Sequence, residues 1–302
     1  MIRIGTRKSP LAVWQANQVK DSLNEIGYPS YLVPIETEGD QDLVQPLYSI
    51  GIKGIFTKSL DIALLNEKID IAVHSLKDVP TILPQGIEIS AYLKRDDPHD
   101  IVVYHPNFID WNKNILIGTG SLRRRAQWLR KYPNHKTETL RGNIQKRLEK
   151  LNKSNWGGAI FAKVGLKRLN LLSKSRYSAL EWMIPAPGQG IIGVASLKKN
   201  NEIAKMVNDL NCNETMLCAK IERSFLRTLE AGCSAPIGAY AFVKNNNIHL
   251  STGIFSTEGS EAVLHEVQIP LNKAEGFGKK SAFQILEKGG SKLMKEIKNH
   301  IK

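Results

Sequence analysis

The feature that most constrains the fold is an alternation of short apolar strands with amphipathic helices, which occurs twice in the first two-thirds of the chain. Such an alternation is typical of sheets with parallel strands, because each helix carries the chain back to the side where the next strand begins. The predicted strands are 2–4, 31–37, 69–74, 115–119, 136–140 and 159–162, and the predicted helices are 9–25, 57–67, 122–131 and 143–151.

Two proline-containing breaks, at residues 96–100 and 185–188, mark crossings between the two series. After about Asn213 the pattern changes to one helix, strands at 237–243, 249–255 and 262–269, and a long terminal helix. The sequence therefore predicts an α/β protein in which two α/β domains form a clamp, followed by a small C-terminal α+β domain. The predicted ranges are 1–95 with 191–210, 96–190, and 211–302.

A cationic side chain follows each of five predicted strand ends. Ligand groups in such sheets gather at the carboxyl ends of the strands, and the helix N-termini at Ser121 and Asn143 add N–H groups and a positive dipole end. A single arginine there could simply be solvated, but five such ends, with a net charge of +13, favour an anion-binding cleft. The cations are Arg7, Lys77, Arg123–Arg125, Arg141 with Arg147, and Lys167 with Arg168.

Asp78 is a carboxylate that lies directly among these cations. One interpretation is an ion pair with Lys77 or with a neighbouring arginine. The other is that Asp78 faces a cationic or N–H-bearing reaction centre while the arginines hold the carboxylates of a substrate. The residues alone leave both interpretations open.

Cys233 lies in a loop that contains glycine and proline, whereas Cys212 and Cys218 fall in a predicted helix. The three cysteines have neither zinc-ribbon nor Cys-x-x-Cys spacing, and their odd number argues against a disulfide framework. A loop thiol near positive charge is biased toward thiolate and can act as a nucleophile or an attachment point. The alternative is a structural loop cysteine.

Other signals exclude several classes of protein. Residues 188–193 match G-x-G-x-x-G, but they follow a proline-rich turn and enter a strand-like segment, so a dinucleotide site is not predicted. The seven histidines lack ligand spacing, which predicts no metal site. No apolar run is long enough to span a membrane, and the chain begins with a strand pattern rather than a signal peptide, so a cytoplasmic location is expected.

Taken together and in order, several segments resemble the porphobilinogen deaminase (hydroxymethylbilane synthase) family of tetrapyrrole biosynthesis. The resemblance covers nearly the whole chain. The segments are GTRKSPLA at 5–12, HSLKDVP at 74–80, SLRR at 121–124, LRGN at 140–143, GLKRL at 165–169, and GC at 232–233 before PIG at 236–238.

The resemblance implies that Cys233, in the C-terminal domain, carries a dipyrromethane cofactor through a thioether. Asp78 looks like the catalytic aspartate of the family, set against pyrrole nitrogens. Phe56 matches an aromatic residue over the cofactor. The other implied cofactor ligands are Lys77, Ser121, Arg123 and Arg124, and the residues that match substrate-binding positions are Arg7, Ser9, Arg141, Arg147 and Arg168.

The implied activity is that of a transferase, which joins four porphobilinogens head to tail with loss of one ammonia each. Water then releases linear hydroxymethylbilane. Each added pyrrole brings an acetate and a propionate, which would account for the clustered arginines. The family fold has two domains like those of periplasmic binding proteins and a third, smaller domain. The resemblance also implies a monomer whose partner is a small anionic substrate, with no metal, specific nucleic acid or membrane.

Three positions depart from the family pattern, namely Gly120, Val164 and Ala231. Two rival functions belong to other classes. A non-catalytic anion-binding clamp of the periplasmic-binding type would not require Cys233 and would usually carry an export signal. A nucleic-acid binder is favoured only by the net charge, since the sequence lacks aromatic residues interleaved along a basic face.

Overall fold

The computed structural model describes residues 1–36, 57–108, 110–111, 114–230 and 235–301. Phe56, Ala231 and Cys233 lie outside the described residues. The strands are β1 (Ile2–Arg7), β2 (Ser30–Ile35), β3 (Ile71–Ser75), β4 (Ile87–Tyr92), β5 (Asp100–Tyr104), β6 (Leu116–Gly118), β7 (Lys136–Glu138), β8 (Gly158–Ala162), β9 (Tyr177–Ala179), β10 (Ile192–Leu197), β11 (Ile237–Lys244), β12 (Asn247–Phe255) and β13 (Ala262–Pro270).

The four helices predicted at 9–25, 57–67, 122–131 and 143–151 begin and end close to those positions. They are α1 (Pro10–Glu25), α2 (Lys58–Leu65), α3 (Leu122–Lys131), α4 (Ile144–Asn152), α5 (Lys163–Arg168), α6 (Asn201–Asn208), α7 (Asn213–Thr228), α8 (Phe277–Ile285) and α9 (Ser291–Ile301). None of the helices in the described ranges is both long enough and apolar enough to cross a membrane.

Side-chain caps fix the starts of the three helices that lead away from the predicted site. Ser9 accepts a hydrogen bond from the backbone N–H of Ala12 at 3.4 Å, and Pro10 occupies the first helical position of α1. Ser121 caps α3 and Asn143 caps α4 in the same way. These short side chains begin each helix close to the end of the preceding strand.

The first lobe is a five-stranded sheet in the order β2-β1-β3-β10-β4. β1 runs parallel to β2 and β3, whereas β10 runs antiparallel to both β3 and β4. The core on one side packs α1 against β1, β3 and β10, and that on the other side packs α2 against the same sheet. β10 enters this sheet from the second crossing.

The second lobe repeats this arrangement with the order β7-β6-β8-β5-β9. β6 runs parallel to β7 and β8, while β5 runs antiparallel to β8 and β9. In each lobe the antiparallel strand is the one that follows a crossing, β5 after the first and β10 after the second. The chain therefore passes from the first lobe to the second at the first crossing and returns to the first lobe at the second crossing.

The C-terminal domain is a three-stranded antiparallel sheet, β11-β12-β13, packed against α7, α8 and α9. The predicted architecture of two α/β domains and a small α+β domain is thus confirmed. Some predictions were incomplete or wrong. β4, β5, β9 and α6 had not been predicted, and β4 and β5 flank the polar break at 96–100. The long terminal helix is interrupted at 286–290, where Gly289 adopts a φ of 106° that helical residues cannot share.

Candidate active site

The segment that carries Asp78 is a single turn, Leu76–Asp78, directly after β3. The Leu76 side chain is fully buried, and its N–H donates to the Ile191 carbonyl at 3.0 Å. The Val79 N–H closes the turn by donating to the Leu76 carbonyl at 3.1 Å. These contacts fix Lys77 and Asp78 at the carboxyl end of β3, on the side of the sheet that faces the second lobe's arginines.

Asp100, the first residue of β5, is a fully buried carboxylate that the sequence had indicated only as part of a hinge. It accepts hydrogen bonds from Arg123 at 2.7 Å, from Arg124 at 2.8 and 3.1 Å, and from Gln189 at 2.9 Å. Burial by itself raises the pKa of Asp100, but Arg123, Arg124 and Lys77 outweigh it and hold this pKa well below its usual range.

The two arginines predicted as cofactor ligands are buried and oriented by this carboxylate. Arg123 also donates to the Ile184 carbonyl at 2.7 Å, and Arg124 donates to the Ile160 carbonyl at 3.2 Å. A guanidinium has five N–H donors, so each retains donors for a ligand. Asp100 therefore orients the two guanidinium groups through its hydrogen bonds. Their predicted contacts with a cofactor remain predictions.

Lys77, Asp78, Arg124 and Arg147 share one electrostatic neighbourhood. Burial, followed by repulsion from Arg124, lowers the pKa of Lys77 to about 8, while Asp78 and Asp100 act in the opposite direction. Burial and then Arg124 likewise lower the pKa of Arg147 to about 10, against the attraction of Asp78. Lys77 and Arg147, whose pKa values a neighbouring cation lowers, belong to a site that an anion would stabilise.

Gln189 joins the two lobes at this site and is almost completely buried. Its amide nitrogen donates to the Pro98 carbonyl at 2.6 Å and to Asp100, while its amide oxygen accepts from Lys77 at 3.2 Å. As predicted, the glycine-rich segment around it leads into β10 and not into a helix. One side chain thus connects the second crossing, the first crossing and the turn that carries Asp78.

The remaining predicted cations surround this centre at different depths. Arg141 is buried and contributes to the charge repulsion on Arg147, whose Nε donates to the Gly142 carbonyl at 2.7 Å. Arg168 is also buried. It donates to the Gly190 carbonyl at 3.0 Å and lies over the Trp14 ring of α1, 5.4 Å from its centroid.

Arg7 and Ser9 lie at the end of β1 and the start of α1. Burial and the charge on Arg7 lower the pKa of His74 to about 4, which places Arg7 beside β3. Ser9 is the cap of α1 described above. Trp14, on the same helix, lies under Arg168 of the second lobe, so α1 and α5 meet across the cleft.

A buried ion pair ties the C-terminal domain to both crossings. Glu222 of α7 is fully buried and binds Arg95 through both oxygens, at 2.8 and 3.0 Å. The same carboxylate accepts from the backbone N–H groups of Gly188 and Ala241, each at 2.7 Å. No local sequence signal indicates this pair, because Arg95 and Glu222 are 127 residues apart.

The structure explains one of the departures from the family pattern. A Cβ atom on Gly120 would lie 2.6 Å from the carbonyl oxygen of Leu140, which is far inside van der Waals contact with rigid backbone. Glycine at position 120 therefore allows the β6–α3 and β7–α4 connections to approach closely. Val164 is buried on α5 and removes no polar group from the site.

The donor set fits a ligand with several carboxylates. Within the described residues, the cations of this centre outnumber its carboxylates: they are Lys77, Arg123, Arg124 and Arg147, against Asp78 and Asp100. The Asp78 side chain makes no hydrogen bond within the described residues. Cations in surplus suit acetate and propionate groups, and an uncommitted carboxylate suits pyrrole N–H groups. The fold and the site are those of a two-lobed α/β protein in which cations in surplus surround the Asp78 carboxylate.

Comparison with known proteins identifies the family. Residues 2–205 match the family model for the porphobilinogen deaminase dipyromethane cofactor binding domain, and residues 216–287 match the model for the porphobilinogen deaminase C-terminal domain. The chain belongs to the porphobilinogen deaminase family.

Two curated relatives match almost end to end. The porphobilinogen deaminase of Francisella tularensis subsp. novicida is 39% identical over 297 residues, covering 97% of this chain and 98% of the relative. That of Pelobacter propionicus is 38% identical over 301 residues, covering 98% and 97%. Among solved structures, the methionine binding protein MetQ is 12% identical with a TM-score of 0.44, covering 71% of this chain and 91% of MetQ.

Proposed function

We propose that the cleft between the two lobes is the active site and that the residues assembled there have separate roles in catalysis and in binding. As a member of its family, the chain is a transferase of tetrapyrrole biosynthesis that polymerises four porphobilinogens into hydroxymethylbilane, with a dipyrromethane cofactor. When bound, the cofactor supplies the pyrrole carbon to which the first substrate is joined. Asp78 acts as the catalytic carboxylate.

The observation that carries this assignment is the position of Asp78 among cations in surplus. Each pyrrole unit carries two carboxylates, and buried guanidinium groups are well suited to bind them through paired N–H donors. Once those carboxylates occupy the arginines, Asp78 is the carboxylate left to face the pyrrole nitrogens. It can then stabilise positive charge on the rings and accept a proton.

The other residues of the site are proposed to bind and orient the cofactor and the substrate. Lys77, Ser121, Arg123 and Arg124 are the proposed ligands of the cofactor carboxylates, and Asp100 holds the two guanidinium groups in position. Phe56 is proposed to lie over a cofactor ring. The proposed substrate ligands are Arg7, Ser9, Arg141, Arg147 and Arg168.

Cys233 is the proposed point of cofactor attachment. The neighbouring thiol on α7 is unsuited to that role, because burial raises the pKa of Cys218 to about 12 and keeps it protonated at neutral pH. We further propose that the protein acts as a monomer in the cytoplasm and that its domains are 1–95 with 191–210, 96–190, and 211–302.

Turnover with porphobilinogen tests the function directly. We expect four ammonia molecules to be released for each hydroxymethylbilane formed, because each joining step breaks one C–N bond. The measurement pairs an ammonia assay with mass spectrometry of the product. A non-catalytic anion-binding clamp would instead bind porphobilinogen reversibly and release no ammonia, which would contradict the assignment.

The arginines offer a second prediction. Changing Arg141, Arg147 or Arg168 singly to Leu should slow elongation or trap enzyme–substrate intermediates while the protein stays folded. A charge-assisted hydrogen bond contributes about 1.5–3 kcal/mol, so each loss should slow the step that uses it by roughly 10- to 150-fold. Single-turnover kinetics and mass spectrometry of bound intermediates provide the measurement. Near-normal turnover in all three variants would indicate a merely solvated basic face.

A further inference from the structure

Arg223 of α7, in the C-terminal domain, contacts the two residues that follow the turn carrying Asp78. Its Nη1 donates to the Val79 carbonyl at 2.9 Å and its Nη2 donates to the Pro80 carbonyl at 2.7 Å. Two successive backbone carbonyls are thus bound by one planar cation. A lysine ammonium at this position could not reproduce that paired geometry, because its donors radiate from a single atom.

These two carbonyls directly follow Asp78 in the chain. On the other side of Asp78, the turn is fixed by the buried Leu76 and by its hydrogen bond to the Ile191 carbonyl. The Asp78 side chain makes no hydrogen bond within the described residues, so no side-chain partner holds it. The position of the carboxylate therefore depends on the backbone of the turn, and Arg223 holds the downstream half of that backbone.

The helix that carries Arg223, α7, also contacts the two crossings between the lobes. Its neighbour Glu222 binds Arg95 and Gly188 at the two crossings, so this part of α7 is fixed to the hinge region as well. α7 ends at Thr228, five residues before Cys233 in the sequence. Arg223 thus links the turn that carries the proposed catalytic carboxylate to the helix that precedes the proposed attachment cysteine.

We propose that Arg223 is a positioning residue for the reaction. It holds Asp78 at a constant place relative to the C-terminal domain while the growing chain is accommodated between the lobes. This inference rests on the proposed role of Asp78. Arg223 acts through the backbone of residues 79 and 80 and not by contact with the reacting atoms.

The test uses the variants Arg223→Met and Arg223→Lys in the cofactor-loaded enzyme, with loading checked by intact mass. We expect Arg223→Met to lower kcat by about 10- to 100-fold, with KM changed by less than about threefold, since the charge-assisted hydrogen bonds to the Val79 and Pro80 carbonyls are lost. Arg223→Lys should recover part of the loss. Amide hydrogen exchange in a peptide spanning 76–80 should be faster in both variants.

Arg176→Met is the matched control. Arg176 also donates to a backbone carbonyl, that of Phe108 at 2.9 Å, and lies over the Tyr104 ring, but it is exposed and directly precedes β9, the edge strand of the second lobe. This control should leave kcat and the exchange of residues 76–80 unchanged. If Arg176→Met produced the same changes, the effect of Arg223 would be a general loss of stability and the proposal would be overturned.

A double-mutant cycle separates this inference from the function on which it rests. If Arg223 acts by placing Asp78, the loss caused by Arg223→Met should be much smaller in an Asp78→Glu background, where the carboxylate is already displaced. Equal losses in both backgrounds, or unchanged exchange at 76–80, would overturn the positioning role. Full activity of Asp78→Asn would instead overturn the role of Asp78 itself, whatever Arg223 does.

Discussion

Asp78→Asn should lower the turnover of porphobilinogen by several orders of magnitude while leaving a folded protein that still binds its substrate. The change retains the shape of the side chain and some hydrogen bonding but removes its charge. Because Asp78 makes no hydrogen bond within the described residues, its loss should disturb the fold little. Binding should persist because the arginines that hold the substrate carboxylates are unaltered.

The physical reason is the charge that develops during each joining step. Loss of ammonia leaves the substrate's methylene carbon electron-deficient, and the positive charge is shared with the ring nitrogen. Attack by the terminal pyrrole then makes the second ring cationic until its α-proton leaves. One carboxylate within reach of both nitrogens can stabilise both cations and accept the proton, whereas a neutral amide stabilises the cations far less and cannot accept the proton.

Asp78→Glu provides the matched comparison. It keeps the negative charge and displaces it by one methylene, so measurable activity should remain. The measurement is ammonia release in a single turnover, with cofactor loading checked by mass in both variants. If the asparagine variant equalled or exceeded the glutamate variant, Asp78 would only balance the charge of the nearby cations Lys77 and Arg147.

Much of the fold could be predicted because its signals are local. Ser9 with Pro10, Ser121 and Asn143 each mark a helix start within a few residues, and the structure places a cap at each. Hydrophobic runs of the right length gave the parallel strands. What local signals could not give is the direction of β5 and β10, since that depends on where the two crossings enter each sheet.

The parts of the site that were not predicted depend on contacts between residues far apart in the sequence. Asp100 looks like any acidic residue in a polar break until α3, 23 and 24 residues away, brings Arg123 and Arg124 against it. Gln189 lies 89 residues from Asp100 and 112 from Lys77. An acid at the start of an apolar strand was the one available hint for Asp100, because a buried carboxylate needs cationic partners.

Cys233→Ala should abolish both the covalent modification and the activity of the protein. The purified protein should have an intact mass, under denaturing conditions, that exceeds the sequence mass by two linked pyrroles. Peptide mapping should place the addition on Cys233, since a thioether survives denaturation. The alanine variant should show the bare sequence mass and no turnover, because the first substrate would then lack the pyrrole carbon to which it is joined.

Cys212→Ala and Cys218→Ala serve as controls within the same chain. Cys212 occupies the cap position of α7, and Cys218 is buried on that helix with a thiol that stays protonated at neutral pH. Both variants should keep the added mass, and Cys218→Ala should lose only the small amount of stability that a shortened core side chain costs. A fully active preparation in which Cys233 is unmodified, or in which the mass follows Cys212 or Cys218, would contradict the assignment.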